Sequence, residues 1–197
     1  MAVFRSKLWK PSKYTILEYI EATGTQYIDT GFVPNQDSRV VCDFQFTGFP
    51  TEWSCVFGSR TTPETINFCL FYNTSGFFRA DYAKQQNSLT GLTATDRLVV
   101  DRNKNVCTIG TASVTQTAVT FTAPGSLFLL ANRETNSANM CSCMRLYSCK
   151  VYDNGTLVRD LWPALRNADG AIGTYDRITD RLFTNAGTGE FIAGVAA

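Results

Sequence analysis

The sequence contains no histidine. That removes Ser-His-Asp and Cys-His catalysis, His-ligated zinc and the usual general base near neutral pH. Charge is scarce too: 18% of the 197 residues are Asp, Glu, Lys or Arg, and the formal net charge is +1. Whole-molecule electrostatics therefore gives no ground for a nucleic-acid partner. No stretch approaches the ~18 apolar residues of a spanning helix, so membrane insertion is not expected. The first residues, Met-Ala-Val-Phe-Arg-Ser-Lys-Leu-Trp, hold no long apolar run, so no secretory signal peptide is expected and synthesis belongs in a cytosol. Helical patterning is nearly missing: no window carries an i, i+3, i+4, i+7 apolar stripe, and residues 163–169 alone suggest a single helical turn.

What is present is apolar and β-forming. Hydrophobic residues make up 44% and aromatics 13%, enough for one packed domain. Strands are expected at 27–30, 40–46, 54–58, 66–72, 77–80, 97–101, 105–109, 118–121, 127–131 and 144–152. Each run is short, rich in Val, Ile, Thr, Phe or Tyr, and bounded by turn residues. Over residues 41–46, Val41, Asp43 and Gln45 fall on one face and Cys42, Phe44 and Phe46 on the other, the period of a half-buried strand. Asp153-Asn154-Gly155 supplies the positive φ angles of a type I′ hairpin turn. Residues 73–76 and 101–105 read as two further hairpin loops, and short strands are expected at 172–175, 181–184 and 190–192. Many short strands of this spacing make an all-β, antiparallel sandwich or barrel.

Seven cysteines stand at 42, 55, 69, 107, 141, 143 and 149, an odd number that leaves at least one thiol unpaired. A reducing compartment makes free, core-packed thiols the expectation. Cys141, Cys143 and Cys149 share parity and would lie on one strand face, but the paired C-x-x-C ligands of zinc ribbons are missing. No metal and no other cofactor is expected. Asp176 with Asp180, or Asp96 with Asp101, would offer oxygens to calcium, yet neither lies in a dense Asp/Asn loop. These acids are read as turn caps.

Charge divides unevenly along the chain. Residues 1–13 carry Arg5, Lys7, Lys10 and Lys13 without an acid, whereas residues 14–197 sum to −3. Phe4, Arg5, Leu8 and Trp9 read as anchors of a docking arm, separate from a domain at 14–197.

Two segments carry a resemblance. One is Leu17-Glu18-Tyr19-Ile20-Glu21-Ala22-Thr23-Gly24-Thr25-Gln26-Tyr27-Ile28-Asp29-Thr30-Gly31. The other runs from Arg145 to Leu161 and continues through Gly173-Thr174-Tyr175-Asp176 to Asn185-Ala186-Gly187-Thr188-Gly189-Glu190-Phe191. Together, and with Phe57-Gly58-Ser59-Arg60 and Phe71-Tyr72-Asn73 between them, they resemble the LamG-like, concanavalin A-like jelly-roll domains of phage structural proteins and gut-bacterial surface proteins. The resemblance implies a jelly-roll sandwich whose first and last strands lie side by side. It also implies a phage virion protein, of fibre or decoration type, assembled with other virion proteins and as a homo-oligomer. A carbohydrate-binding module of a bacterial surface protein is the alternative.

Sandwich glycosidases of this superfamily need a Glu-x-Asp-x-(x)-Glu strand. Glu18, Glu21, Glu52, Glu64, Glu134 and Glu190 do not fall in that pattern, so no enzymatic activity is expected. Binding a host-surface glycan needs aromatic faces for sugar rings and planar groups for hydroxyls. Trp53, Tyr72, Asn73, Phe77, Arg79, Tyr82, Arg133 and Asn136 are the candidates. Phe77 and Phe78 are neighbours, so one of them must turn away from the core. Arg60 is read as an ion-pair partner instead.

Overall fold

A computed structural model describes residues 13–197. The arm residues Phe4, Arg5, Leu8 and Trp9 lie outside them. Along the chain run β1 (Tyr14–Ile16), β2 (Ile20–Thr23), β3 (Ile28–Asp29), β4 (Ser38–Gly48), β5 (Trp53–Arg60), β6 (Asn67–Asn73) and β7 (Phe77–Tyr82). Then come β8 (Gln85–Leu89), β9 (Leu98–Asn103), β10 (Val106–Ile109), β11 (Ala112–Thr115), β12 (Phe128–Leu129) and β13 (Asn132–Glu134). The last six are β14 (Ser137–Asn139), β15 (Cys143–Asp153), β16 (Thr156–Arg166), β17 (Ile172–Asp176), β18 (Arg181–Thr184) and β19 (Ile192–Ala193). No helix occurs among the described residues.

The strands form two sheets packed as a sandwich. The larger follows β11-β10-β9-β4-β15-β16-β17-β18, with β1 beside β16 and with β2 joining β15 to β19. The smaller follows β14-β13-β5-β6-β7-β8, with β12 and β3 against β5. Pairing is antiparallel except between β13 and β5. Alternation decides which side chains enter the core. On β4, Val40, Cys42, Phe44 and Phe46 are buried while Val41, Asp43 and Gln45 are partly exposed. Phe44 and Phe46 meet Phe78 of the other sheet at 6.2 and 6.3 Å between ring centroids. Burying a side chain of this size contributes about 2–3 kcal/mol.

The hairpin expected at Asn154-Gly155 joins β15 to β16, with φ of 45° and 82° at its two central residues. The loop expected at 73–76 turns between β6 and β7, whereas of the loop expected at 101–105 only residues 104–105 turn, because β9 continues through Asn103 before β10 begins. The opening and closing segments lie side by side: β19 pairs with β2, Glu18 N donates to the Val195 carbonyl (2.8 Å), and Ala197 N donates to the Ile16 carbonyl (3.0 Å).

Three expectations are corrected. Residues 163–166 are extended, because β16 continues through Pro163 between β1 and β17, and only residues 167–169 turn. Residues 118–121 form no strand: the segment crosses the end of the sandwich after Gln116, held by single contacts such as the Asn35–Thr122 bridge. Cys149 does not share a face with Cys143. The β4–β15 ladder shifts register between Leu146 and Ser148, so Met144 and Leu146 point inward before it and Cys149 and Val151 after it.

One core group is unusual. Arg102 of β9 is 1% exposed. Its Nη2 donates to Gln116 Oε1 (2.7 Å) and to the Asp81 carbonyl (3.3 Å), while Nε and Nη1 have no hydrogen-bond partner. Tyr82 and Phe68 lie under the guanidinium at 5.1 and 5.5 Å. Burial pulls its pKa below the ordinary arginine value. Gln116, itself 4% exposed, donates to the Ala80 carbonyl, the Gln85 carbonyl and Asn87 Oδ1.

Candidate functional site

The smaller sheet has a second face, turned away from the main core. Register brings its side chains into rows. Trp53 of β5 stands opposite Asn73 of β6, which stands opposite Phe77 of β7. The next row is Cys55, Phe71 and Arg79, and the one after it is Gly58, Cys69 and Asp81. Phe78 turns into the core, so its neighbour Phe77 lies on this outer face, half-buried against Trp53 at 5.8 Å.

Phe71 is fully buried although it faces outward. Two guanidinium groups cover it, Arg60 at 5.5 Å and Arg79 at 5.2 Å, and Trp53 meets it edge-on at 6.2 Å. Arg79 also lies over the Trp53 ring at 4.4 Å, so one face of that indole is already occupied. Each arginine is held by acids. Arg60 Nη1 donates to Glu64 Oε1 (2.7 Å), and Arg60 Nη2 lies 3.2 Å from Glu134 Oε1. Arg79 Nη2 donates to Asp81 Oδ2 (3.0 Å). Arg79 Nε and Asp81 Oδ1 are also 3.0 Å apart, but they are misaligned and make no second hydrogen bond. Gln86 of β8 donates to the outer oxygen of Glu64.

Asp81 has no exposed surface, and this burial pushes its carboxyl pKa up to about 6 against the pull of Arg79. The folded pKa lies above the ordinary 3.8, so the fold binds this proton more tightly than the unfolded chain. Its contribution is complete below about pH 4 and is lost as pH rises through about 6, on the order of 3 kcal/mol in all. Melting scans should therefore show higher stability at pH 5 than at pH 7. Asp81→Asn should flatten that difference; an unchanged difference would place the titration elsewhere.

The structure gathers four of the eight sequence candidates, Trp53, Asn73, Phe77 and Arg79. The other four stand apart. Tyr72 has the opposite parity and packs inward against Phe49 (4.8 Å), Phe78 (5.1 Å) and Phe46 (5.8 Å). Tyr82 is 1% exposed in the core, its ring 4.9 Å from Phe121. Arg133 of β13 is tied to Ser126 Oγ (3.0 Å) and the Thr135 carbonyl (3.1 Å), over the Phe128 ring. Asn136 is exposed at the β13–β14 turn, at the edge of the sheet. Phe71, Asp81 and Glu64 were not among the sequence candidates. Period-two spacing in Phe71-x-Asn73 and Phe77-x-Arg79-x-Asp81 is the signal that marks Phe71 and Asp81; Glu64, in the bend before β6, carries no such signal.

Neither acid pair considered for calcium forms a ligand set. Asp176 accepts from Asp160 N (2.8 Å), Ile178 N (3.1 Å) and Thr179 Oγ1 (2.8 Å), and Asp180 accepts from the Tyr175 hydroxyl (2.8 Å). Asp101 is paired with Arg39 at 2.6 Å. Among the described residues no three His, Cys, Asp or Glu side chains are placed to hold a metal ion. A hollow of about 520 Å³, lined by Ile66, Ala83, Val119 and Phe121 among others, contains none of the gathered residues.

Neither a scan of protein-family models nor a search of curated proteins finds a match for the sequence. The chemistry of the outer face is thus the guide to what it can do. Trp53 and Phe77 present apolar ring surface on a rigid sheet. Exposed Ser88 stands in the adjacent row, opposite Arg79, while exposed Glu64 and Gln86 lie one row further on, beside Arg60 and Asp81. Asp81 has the raised pKa of a general acid, but it is sealed behind Arg79 and cannot reach a substrate.

Proposed function

We propose that the chain is a non-enzymatic phage virion protein, of fibre or decoration type, that holds a host-surface glycan on the outer face of its smaller sheet. One observation carries the binding part: the half-buried Trp53–Phe77 pair stands among planar hydrogen-bonding groups on a face that the core does not use. A sugar ring takes the side of the indole that Arg79 leaves open, and Ser88, in the adjacent row, meets its hydroxyls. The virion part is supported by the resemblance of the opening and closing segments to phage structural domains. Assembly with other virion proteins and with further copies of the chain goes with that reading.

Retention on a glycan array tests the site. Trp53→Ala and Phe77→Ala should each weaken binding at least tenfold, measured below the melting temperature of each variant. An array that retains no glycan, or variants that bind as the parent does, would remove the glycan. Light scattering separates the two contexts: an oligomer fits a fibre, and a monomer fits a free carbohydrate-binding module.

A further inference from the structure

Cys42 and Cys149 stand directly opposite each other on β4 and β15, the long neighbouring strands of the larger sheet. Both are free thiols, and both side chains are fully buried within the main core. Their register is the result of the β15 irregularity: without that shift Cys149 would face outward. No other two of the seven cysteines share such a position. Cys55 stands opposite Phe71, Cys69 opposite Gly58 and Asp81, Cys107 opposite Arg102 and Val114, and Cys143 opposite Thr23 and Gly48. Cys141 precedes β15.

Directly opposed residues of an antiparallel pair have Cα atoms about 4.5 or 5.5 Å apart, depending on their place in the ladder. A disulfide spans about 4.4–6.8 Å between Cα atoms, so the Cα separation of either position falls within its range. The two sulfurs already interact: the Cys149 thiol beside it, together with burial, pushes the Cys42 pKa well up.

We propose that Cys42 and Cys149 form a disulfide when the chain folds in an oxidising medium, making a covalent rung across the centre of the larger sheet. The co-reactant is a low-molecular-weight disulfide. One protein thiolate attacks a sulfur of that disulfide and expels a small thiolate, leaving a mixed disulfide. The second protein thiol, on losing its proton, attacks the protein sulfur of that bond and expels the other small thiolate. Two protein thiols are oxidised, one small disulfide is reduced to two thiols, and the two protons pass to the released thiolates. Both sulfurs are sealed in the folded sheet, so exchange takes place while the strands are apart, and folding then encloses the bond. This inference does not depend on the glycan reading.

The test refolds the full chain from denaturant in reduced glutathione alone or in a mixture of reduced and oxidised glutathione. The oxidised sample should hold two fewer free thiols than the seven of the reduced chain. Peptide mapping without reductant should return Cys42 joined to Cys149. The closed loop exceeds 100 residues, so melting should rise by about 10 °C. Cys55→Ala should lose the same two thiols, and Cys42→Val should lose none. Seven thiols after oxidative refolding, or a bond mapped to another pair, overturns the proposal. Mapping of the parent chain decides it even if a variant fails to fold.

Discussion

Replacing Gly187 with alanine should cost about 2–4 kcal/mol, read as a fall of roughly 5–15 °C in melting temperature. The reason is room. An added Cβ would lie 2.1 Å from the Thr25 carbonyl oxygen and 3.0 Å from the Tyr27 ring. The obstructing atom is backbone, which has nowhere to go. The turn at 185–189 is bound to residues 25–27 along its whole length: Ala186 N donates to the Tyr27 carbonyl (2.9 Å), Tyr27 N donates to Asn185 Oδ1 (3.1 Å), and Thr25 Oγ1 donates to the Thr188 carbonyl (2.9 Å). Buried Gln26 adds a bond from Nε2 to the Glu190 carbonyl (3.0 Å). Moving any of these loosens the others. A variant that melts within about 2 °C of the parent would show that the turn yields easily.

The second large effect concerns Arg102. Gln116→Leu should destabilise by about 3 kcal/mol, because it removes the side-chain acceptor of a buried cation together with the two amide hydrogens shared among the Ala80 carbonyl, the Gln85 carbonyl and Asn87 Oδ1. Arg102→Met in the same chain should recover most of that loss, since a buried cation replaced by an apolar group of similar volume is often neutral or stabilising. Urea midpoints at constant slope measure both, and the double-mutant cycle isolates the coupling. Additive effects of the two substitutions would show that Gln116 acts on the β7–β8 carbonyls alone.

The sequence made some features legible and hid others, for physical reasons. Alternation at Val41–Phe46 placed β4 correctly because each residue either meets the other sheet or meets water. Asn154-Gly155 was legible because few residues adopt two successive positive φ angles. β8 was missed: Gln85-Gln86-Asn87-Ser88 has no apolar alternation, and pairing with β7 makes it a strand. Pro163 suggested a break in extended structure, but its missing N–H does not keep β16 from pairing on both sides. At the candidate site, Trp53, Phe77 and Arg79 were readable as chemistry. Tyr72 and Tyr82 looked equivalent to them because residue type does not reveal parity. The Arg60–Glu134 contact depends on the parallel placement of β13 beside β5, which brings together residues more than 70 positions apart.

The bonds that fasten Ile16 and Glu18 to residues 195–197 have a consequence for how the chain could be rethreaded. Tyr14 and Ala197 flank this seam, so a short flexible linker can join them. Cutting between Asn154 and Gly155, at an exposed two-residue turn, then gives a circular permutant in which β16 comes first and β15 last. Every ladder of both sheets remains available to it. The β15–β16 pairing, now local, becomes the most distant in sequence, while β1 and β2 move close to β19. By the dependence of folding speed on contact order, the permutant should reach the same sandwich by a slower route.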